Sequence, residues 1–236
     1  MNLILLAPEQ ALSETLYQLN ARQQEHITKV LKKKHGDTLR VGLVDGLIGD
    51  GVLDTEHWQV SLGQLTIAPP KALPMALVLA LPRPNMLKRT LMNITAMGVK
   101  TVHLLNSAKV EKSYWQSPVL TEASIHEYLI EGLEQARDTV LPTVYQHTRF
   151  RPFVEDVLPP LLENRLGLVA HPYQAQACPV DLDQASILAI GPEGGWNEFE
   201  MEKWTAAGMQ SVHLGDRILK VETAVPVLLS RLYPAK

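Results

Sequence analysis

The chain has 236 residues, 46% of them apolar and 20% charged, a net charge of −3 and one cysteine, Cys178. The apolar share fills a sizeable core and excludes a disordered chain. The lone cysteine excludes an internal disulfide, and with neither CxxC nor HExxH spacing in the sequence no metal site is expected.

The opening NLILLAPEQ is too short, and lacks the basic flank, to read as a secretory leader. No run of about 18 apolar residues follows, so a cytoplasmic protein without a membrane span is expected. NARQQEHITKVLKKKHG predicts one helix capped by Asn20, with Ile27, Val30 and Leu31 on its apolar face and Gly36 as its stop. DTLRVGLVDGLIGDGVLD and HWQVSLGQLTIAP alternate as short strands do, with a turn at Asp45-Gly46. A small β-barrel-like domain with one helix is therefore expected over 1–70, ended by the proline-rich APPKALP at 68–74.

A second domain is expected over 75–236. MALVLAL is a continuous apolar strand, and PNMLKRTLMNITAMG places Leu87, Leu91, Ile94 and Met97 at helical spacing before Gly98. TVHLLNS is a strand, and TEASIHEYLIEGLEQAR a helix capped by Thr121. After Pro142 come TVYQHT, a helix near VEDVLPPLLE, and the strands LGLVAHP, ILAIGPEGG and SVHLG, with a final helix ending near Leu232. Strands separated by helices require crossovers, so an α/β domain with a mostly parallel sheet is expected. Charge is uneven along this domain. Residues 71–112 hold seven Lys/Arg against one acid, whereas 120–203 hold five against fourteen. The first stretch reads equally as a phosphate-facing patch or as an ordinary solvated face.

Three apolar strands finish in short loops of special residues: His171-Pro172, GPEGG at 191–195, and Gly215 with the irregular stretch after it. Asn197 and Glu200 match a capping pattern, so a helix starts just behind GPEGG. Open α/β sheets bind ligands at the carboxyl ends of their strands. One such loop alone is only a tight turn; three that converge would line a pocket. GPEGG is neither GxxxxGK[ST] nor GxGxxG, and Glu193 would repel phosphate. A ligand with a base, a ribose and a positive centre suits this lining better than a nucleoside triphosphate.

IGPEGGW, HLGDRILKVETA and the HP after LGLVA resemble the signature segments of the ribosomal small-subunit RNA uracil-N3 methyltransferases (the RsmE family), of the SPOUT class. The layout is similar over nearly the whole chain, and the sharp motifs occupy about the last seventy residues. The resemblance implies an N-terminal PUA-like RNA-binding barrel, a C-terminal α/β domain with a trefoil knot, and a homodimer. It also implies small-subunit ribosomal RNA as substrate and S-adenosylmethionine as methyl donor. Carried over by position, the donor pocket would involve His171, Ile190, Gly191, Gly194, Gly195, Leu214, Gly215, Ile218, Leu219 and Thr223.

The N3 of uracil is protonated at neutral pH, so methylation there needs a base or a cation that stabilises the resulting anion. Glu193 and Glu222 are the candidate bases, and Arg217 and Lys220 the candidate anion stabilisers. Glu222 also reads as a helix N-terminal charge and Arg217 as a surface ion pair. Lys32, Lys33, Lys34, Arg83, Lys88 and Arg89 are the candidates for following RNA phosphates. The chain departs from the family at Lys220, usually Arg, at Val221, usually Thr, at Ala136, Arg137 and Asp138 within EQARDTVLP at 134–142, which keeps Glu134, Gln135 and Pro142, and in AKVEK at 108–112. These departures fall on segments expected to face RNA. They leave open a paralogue acting on another RNA site, or a non-catalytic RNA-binding module.

Overall fold

The computed structural model describes residues 3–235. It contains two compact units: one takes the chain through Lys71 together with Leu129–Leu141, the other Ala72–Tyr128 and the chain from Pro142 onward.

In the first unit, β1 (Ile4–Leu6), β2 (Leu16–Gln18), β3 (Thr38–Leu43), β4 (Ile48–Asp54) and β5 (Gln59–Ile67) form a five-stranded half-barrel ordered β1-β3-β4-β5-β2. β1 runs parallel to β3, and the other pairs are antiparallel. Alternate residues such as Leu39 and Val41 point inward and join Ile4, Leu6, Leu53 and Val60 in the core. β4 changes register at Gly49, where a β-carbon would collide with the Gln64 carbonyl, so only glycine fits the bend.

The helix α1 (Ala21–His26) starts where its cap predicts. Asn20 Oδ1 accepts the Gln23 N–H at 3.0 Å, and Gln23 Oε1 accepts the Asn20 N–H at 2.9 Å. It does not reach Gly36. A π-turn occupies Ile27–Leu31, and Lys32 closes it with φ at 52°. The wider winding keeps Leu31 against the core beside Ile27 and swings Val30 outward, 62% exposed.

No boundary signal marks Leu129–Leu141, yet this segment braces the half-barrel. Ile130 and Leu133 pack with Leu3, Leu5 and Ile48. Glu134 Oε1 accepts the Leu5 N–H at 3.2 Å, and its carboxylate takes the Arg22 guanidinium in two bonds of 2.7 and 3.0 Å. Asp45 donates its N–H to the Thr139 carbonyl and accepts the Leu141 N–H, both at 2.8 Å. The expectation that the altered part of EQARDTVLP faces RNA is therefore corrected at Asp138, which is 3% exposed, and the retained Glu134 is buried as well, at 6%. A buried carboxylate needs partners, and Glu134 finds them in the half-barrel.

Glu134→Ala is expected to destabilise this unit by about 2–3 kcal/mol, because it strands the Leu5 amide and breaks a largely buried ion pair. Arg22, whose side chain is 33% exposed, regains water, which keeps the loss below that of a fully buried pair. Glu134→Gln keeps an acceptor for Leu5 and should cost about half as much. Denaturant midpoints of the three proteins check the order.

In the second unit, β6 (Met75–Ala80), β7 (Thr101–Leu105), β8 (Thr143–His147), β9 (Leu166–Ala170), β10 (Gln176–Ala177), β11 (Ser186–Ile190) and β12 (Gln210–His213) form a seven-stranded sheet ordered β10-β12-β9-β11-β6-β7-β8. Every neighbouring pair in it is parallel. β6 and β11 are buried along their whole lengths, as continuous apolar runs in a parallel sheet should be.

The helices are α2 (Pro84–Ala96), α3 (Glu122–Ala136), α4 (Phe150–Pro152) continuing through a π-turn (Phe153–Val157) into α5 (Leu158–Leu162), α6 (Glu198–Ala206) and α7 (Val221–Leu232). Leu87, Leu91 and Ile94 bury the inner face of α2, and Thr121 Oγ1 caps α3 by accepting the Ser124 N–H at 3.3 Å. α3 begins in this unit and ends in the first. From β6 the chain builds outward to β7 and β8, then crosses to β9, and β11 later inserts between β9 and β6. The strand order reverses there, which opens a crevice at the carboxyl edge.

Candidate active site

β9, β11 and β12 lie close together in the sheet, with β9 in the middle, and all three are parallel. Their carboxyl ends therefore share one edge. The loops leaving them enclose a cavity of about 380 Å³, within the ~300–1,000 Å³ common for small-molecule sites.

At the end of β9, the His171 N–H bonds the Val212 carbonyl at 3.0 Å and ties this loop to β12. The ring Nδ1 lies 2.8 Å from the Tyr173 carbonyl oxygen, which fixes how the imidazole turns.

At the end of β11, the Gly195 N–H closes a tight turn onto the Pro192 carbonyl at 2.8 Å, with φ of 68° at Gly195. Trp196 forms a buried floor beneath Gly191. Its indole stands 5.3 Å from that of Trp204 and 6.0 Å from the Phe150 ring, centre to centre. The cap predicted at Asn197 is present: Asn197 Oδ1 accepts the Glu200 N–H at 2.8 Å, and Glu200 Oε2 accepts the Asn197 N–H at 2.9 Å. Glu200 is 2% exposed and has a second task, because its Oε1 accepts the Ala108 N–H at 2.7 Å.

At the end of β12, Gly215 takes φ of 103° and donates its N–H to His213 Nδ1 at 2.9 Å. The chain then runs through Arg217, Ile218 and Leu219 along the cavity into α7, whose Val221, Ala224 and Leu228 close one wall.

The expected donor-pocket residues His171, Ile190, Gly191, Gly194, Gly195, Leu214, Gly215, Ile218 and Leu219 all line this one cavity. Thr223 does not: it is exposed on the first turn of α7, with its N–H bonded to the Lys220 carbonyl at 2.9 Å. Ile218 sits at the lip, 73% exposed. Of the charged candidates, Glu193 and Arg217 line the cavity. Lys220 is the N-cap of α7 and Glu222 lies in its first turn, outside the lining, where a carboxylate favours the helix dipole.

Arg83 reaches the glycine loop, its Nε 3.9 Å from Glu193 Oε1. Lys88 holds its ammonium 5.3 Å over the Tyr128 ring, and Arg89 is exposed on α2. Lys32, Lys33 and Lys34 follow the π-turn of the first unit, with Lys32 and Lys34 exposed and Lys33 half-buried.

Sequence reasoning missed Lys109, Tyr173, Trp196 and His213 as lining residues, and the α7 wall as well. Val221, Ala224 and Leu228 stand at helical spacing, but such a stripe reads as ordinary core. Lys109 comes from the loop after β7, whose nearness to Gly194 no local pattern announces.

The sheet and its cavity define an α/β protein with a small-molecule site at the carboxyl edge of parallel strands. Residues 69–233 match the RNA methyltransferase domain family. The chain is 32% identical over 211 residues to ribosomal RNA small subunit methyltransferase E of Treponema pallidum, an alignment covering 84% of this chain and 77% of that one. It is 30% identical to the protein of the same name from Synechocystis, over 97% of this chain and 76% of that one. The chain thus belongs to the ribosomal RNA small subunit methyltransferase E family. A member from Neisseria gonorrhoeae, solved bound to S-adenosyl methionine, shares the fold with a TM-score of 0.74 at 20% identity, over 97% of this chain and 95% of that one.

Proposed function

We propose that this protein transfers a methyl group from S-adenosylmethionine to N3 of a uridine in 16S ribosomal RNA. The observation that carries the reading is the convergence of three parallel strand ends on one cavity, in a chain of this family. The lining suits the donor. Ile190, Leu214, Leu219, Val221 and Leu228 offer apolar surface for a purine. Gly195 and Gly215 have open space where a β-carbon would stand, which leaves their main chain free to approach a ligand. Among the described residues Glu193 is the one carboxylate in the lining, complementary to a cation.

When bound, S-adenosylmethionine supplies a methyl group activated on a sulfonium. The chain's own residues orient the two reactants, and positioning accounts for much of the acceleration in such a displacement. We assign Arg217, a permanently charged group at the cavity, to stabilising the uracil anion, and Glu193, beside Arg83, to accepting the N3 proton. Lys220 and Glu222 take no step in this scheme. The N3 edge is closed in paired RNA, so the target uridine is unpaired or flipped outward. The first unit serves as a PUA-like RNA-binding domain through Lys32, Lys33 and Lys34, while Arg83, Lys88 and Arg89 follow phosphates in the second. The active form is a homodimer with a trefoil knot in each α/β unit.

Calorimetry with S-adenosylmethionine should show one site per chain. Mass analysis of 16S ribosomal RNA from a deletion strain should show one N3-methyluridine lost and restored by the gene. Folded protein that ignores millimolar donor, or a modification profile unchanged by the deletion, would remove this reading.

A further inference from the structure

We propose that Lys109 is a positioning residue, a clip that holds the GPEGG loop in its ligand-ready shape from the neighbouring β7 loop. Resting on the donor-site reading above, the proposal adds a residue that sets how well that site is preformed.

Three observations carry it. The Lys109 ammonium donates to the Gly194 carbonyl at 2.6 Å, across 85 residues of sequence. A charged donor shortens such a bond, although Lys109 is exposed and water competes for its ammonium. The base of the clip is itself fixed. Glu200, 2% exposed, accepts the Ala108 N–H at 2.7 Å while its other oxygen caps the helix that starts behind GPEGG, and the Val110 N–H turns back onto the Ser107 carbonyl at 3.1 Å. Finally, the lysine stem occupies the place of a side chain at 194. A β-carbon on Gly194 would lie 2.8 Å from Lys109 Cδ and 3.3 Å from its Cβ.

Gly194 is absent from the positive-φ glycines, so its backbone does not require glycine. What crowds the position is the exposed Lys109 stem lying across it, which a side chain at 194 would push aside. The two positions are therefore one device: the glycine makes room for the stem, and the ammonium grips the carbonyl that the glycine presents. A loop bonded only through its own Gly195–Pro192 turn would sample other shapes, and a ligand would have to order it on binding.

The test uses the full chain in two arms. In the ligand-free protein, Lys109→Met keeps the stem and removes the donor. It should speed hydrogen exchange at the amides of Gly191 and of residues 193–196 by about three-fold, the scale of losing one solvent-exposed hydrogen bond. The melting temperature should stay close to that of the parent. Lys109→Arg should restore most of the protection, and Lys112→Met, at the start of the 3-10 turn Lys112–Gln116 that follows, should change nothing. In the binding arm, Lys109→Met should weaken S-adenosylmethionine binding by about three-fold. Gly194→Ala should weaken it too, and by much less when Lys109 is already alanine, since the pair shares one contact.

Unchanged exchange in Lys109→Met overturns the clip, and so does additivity of the two substitutions. If exchange responds but the parent protein binds no donor, the clip stands and the donor-site reading falls.

Discussion

Ala224→Phe is expected to weaken S-adenosylmethionine binding by about five- to 150-fold, with little change in thermal stability. Ala224 lies on the face of α7 that closes one wall of the cavity, between Val221 and Leu228. It is half-buried, whereas Val225 and Leu229 beside it are 1% and 0% exposed and carry the packing of the helix. A phenyl ring at 224 can therefore extend into the cavity without displacing core. A ligand that shares the cavity must then shift or lose contacts, and overfilling a packed space costs roughly 1–3 kcal/mol, about five- to 150-fold in affinity. Thr223→Phe is the matched control, because residue 223 is exposed and outside the lining. Calorimetry and thermal melts of both variants decide the matter. Equal donor affinity in Ala224→Phe and the parent would place the ligand elsewhere.

The control at Thr223 also marks where legibility in the sequence stops. That three strand ends carry ligand-binding loops is visible locally, because buried parallel strands are continuous apolar runs and their loops must bend sharply. That β12, β9 and β11 are neighbours is not visible, since parallel strands pair across crossovers and periodicity says nothing of their order. The final loop was legible as far as Leu219. Beyond it the helix phase decides, and that phase turns Ala224 toward the cavity and Thr223 toward solvent.

Glycines show the same division. Gly195 and Gly215 sit at positive φ, a local requirement. Gly194 is explained by Lys109, a residue 85 positions away, and Gly49 by the Gln64 carbonyl. The first helix was legible at its start, where Asn20 and Gln23 form a local capping pair. It was misread at its end, because a π-turn leaves no mark on apolar spacing until the chain winds through it. The bracing role of Glu134 was not legible for a related reason: nothing local announces that Arg22 and the Leu5 amide meet its carboxylate.

Acid is expected to destabilise the second unit by about 3 kcal/mol between pH 6.5 and pH 4, through a buried histidine of β7 that lies apart from the cavity lining. His103 is 3% exposed and stacks on Tyr145 and His147, with ring centres 4.9 and 5.2 Å away. Phe153 covers it from the π-turn at 5.6 Å. Its Nδ1 lies 3.0 Å from His147 Nε2, so a single proton lies between the facing nitrogens, and a second would set two N–H donors against each other. Burial, with help from His147 and Arg165, pushes the His103 pKa down to about 4. Burial lowers that of His147 as well.

Because the folded pKa lies below the unfolded value near 6.5, the unfolded chain binds the extra proton first as pH falls. The stability is complete above about pH 6.5 and drains away toward pH 4. His103→Phe keeps an aromatic ring in the stack and removes the titrating group, while the half-buried His147 can bond water. Denaturant midpoints measured from pH 7.5 down to 4.5 should fall steeply in the parent and clearly less in the variant. Parallel pH profiles would show that the acid sensitivity lies in other groups.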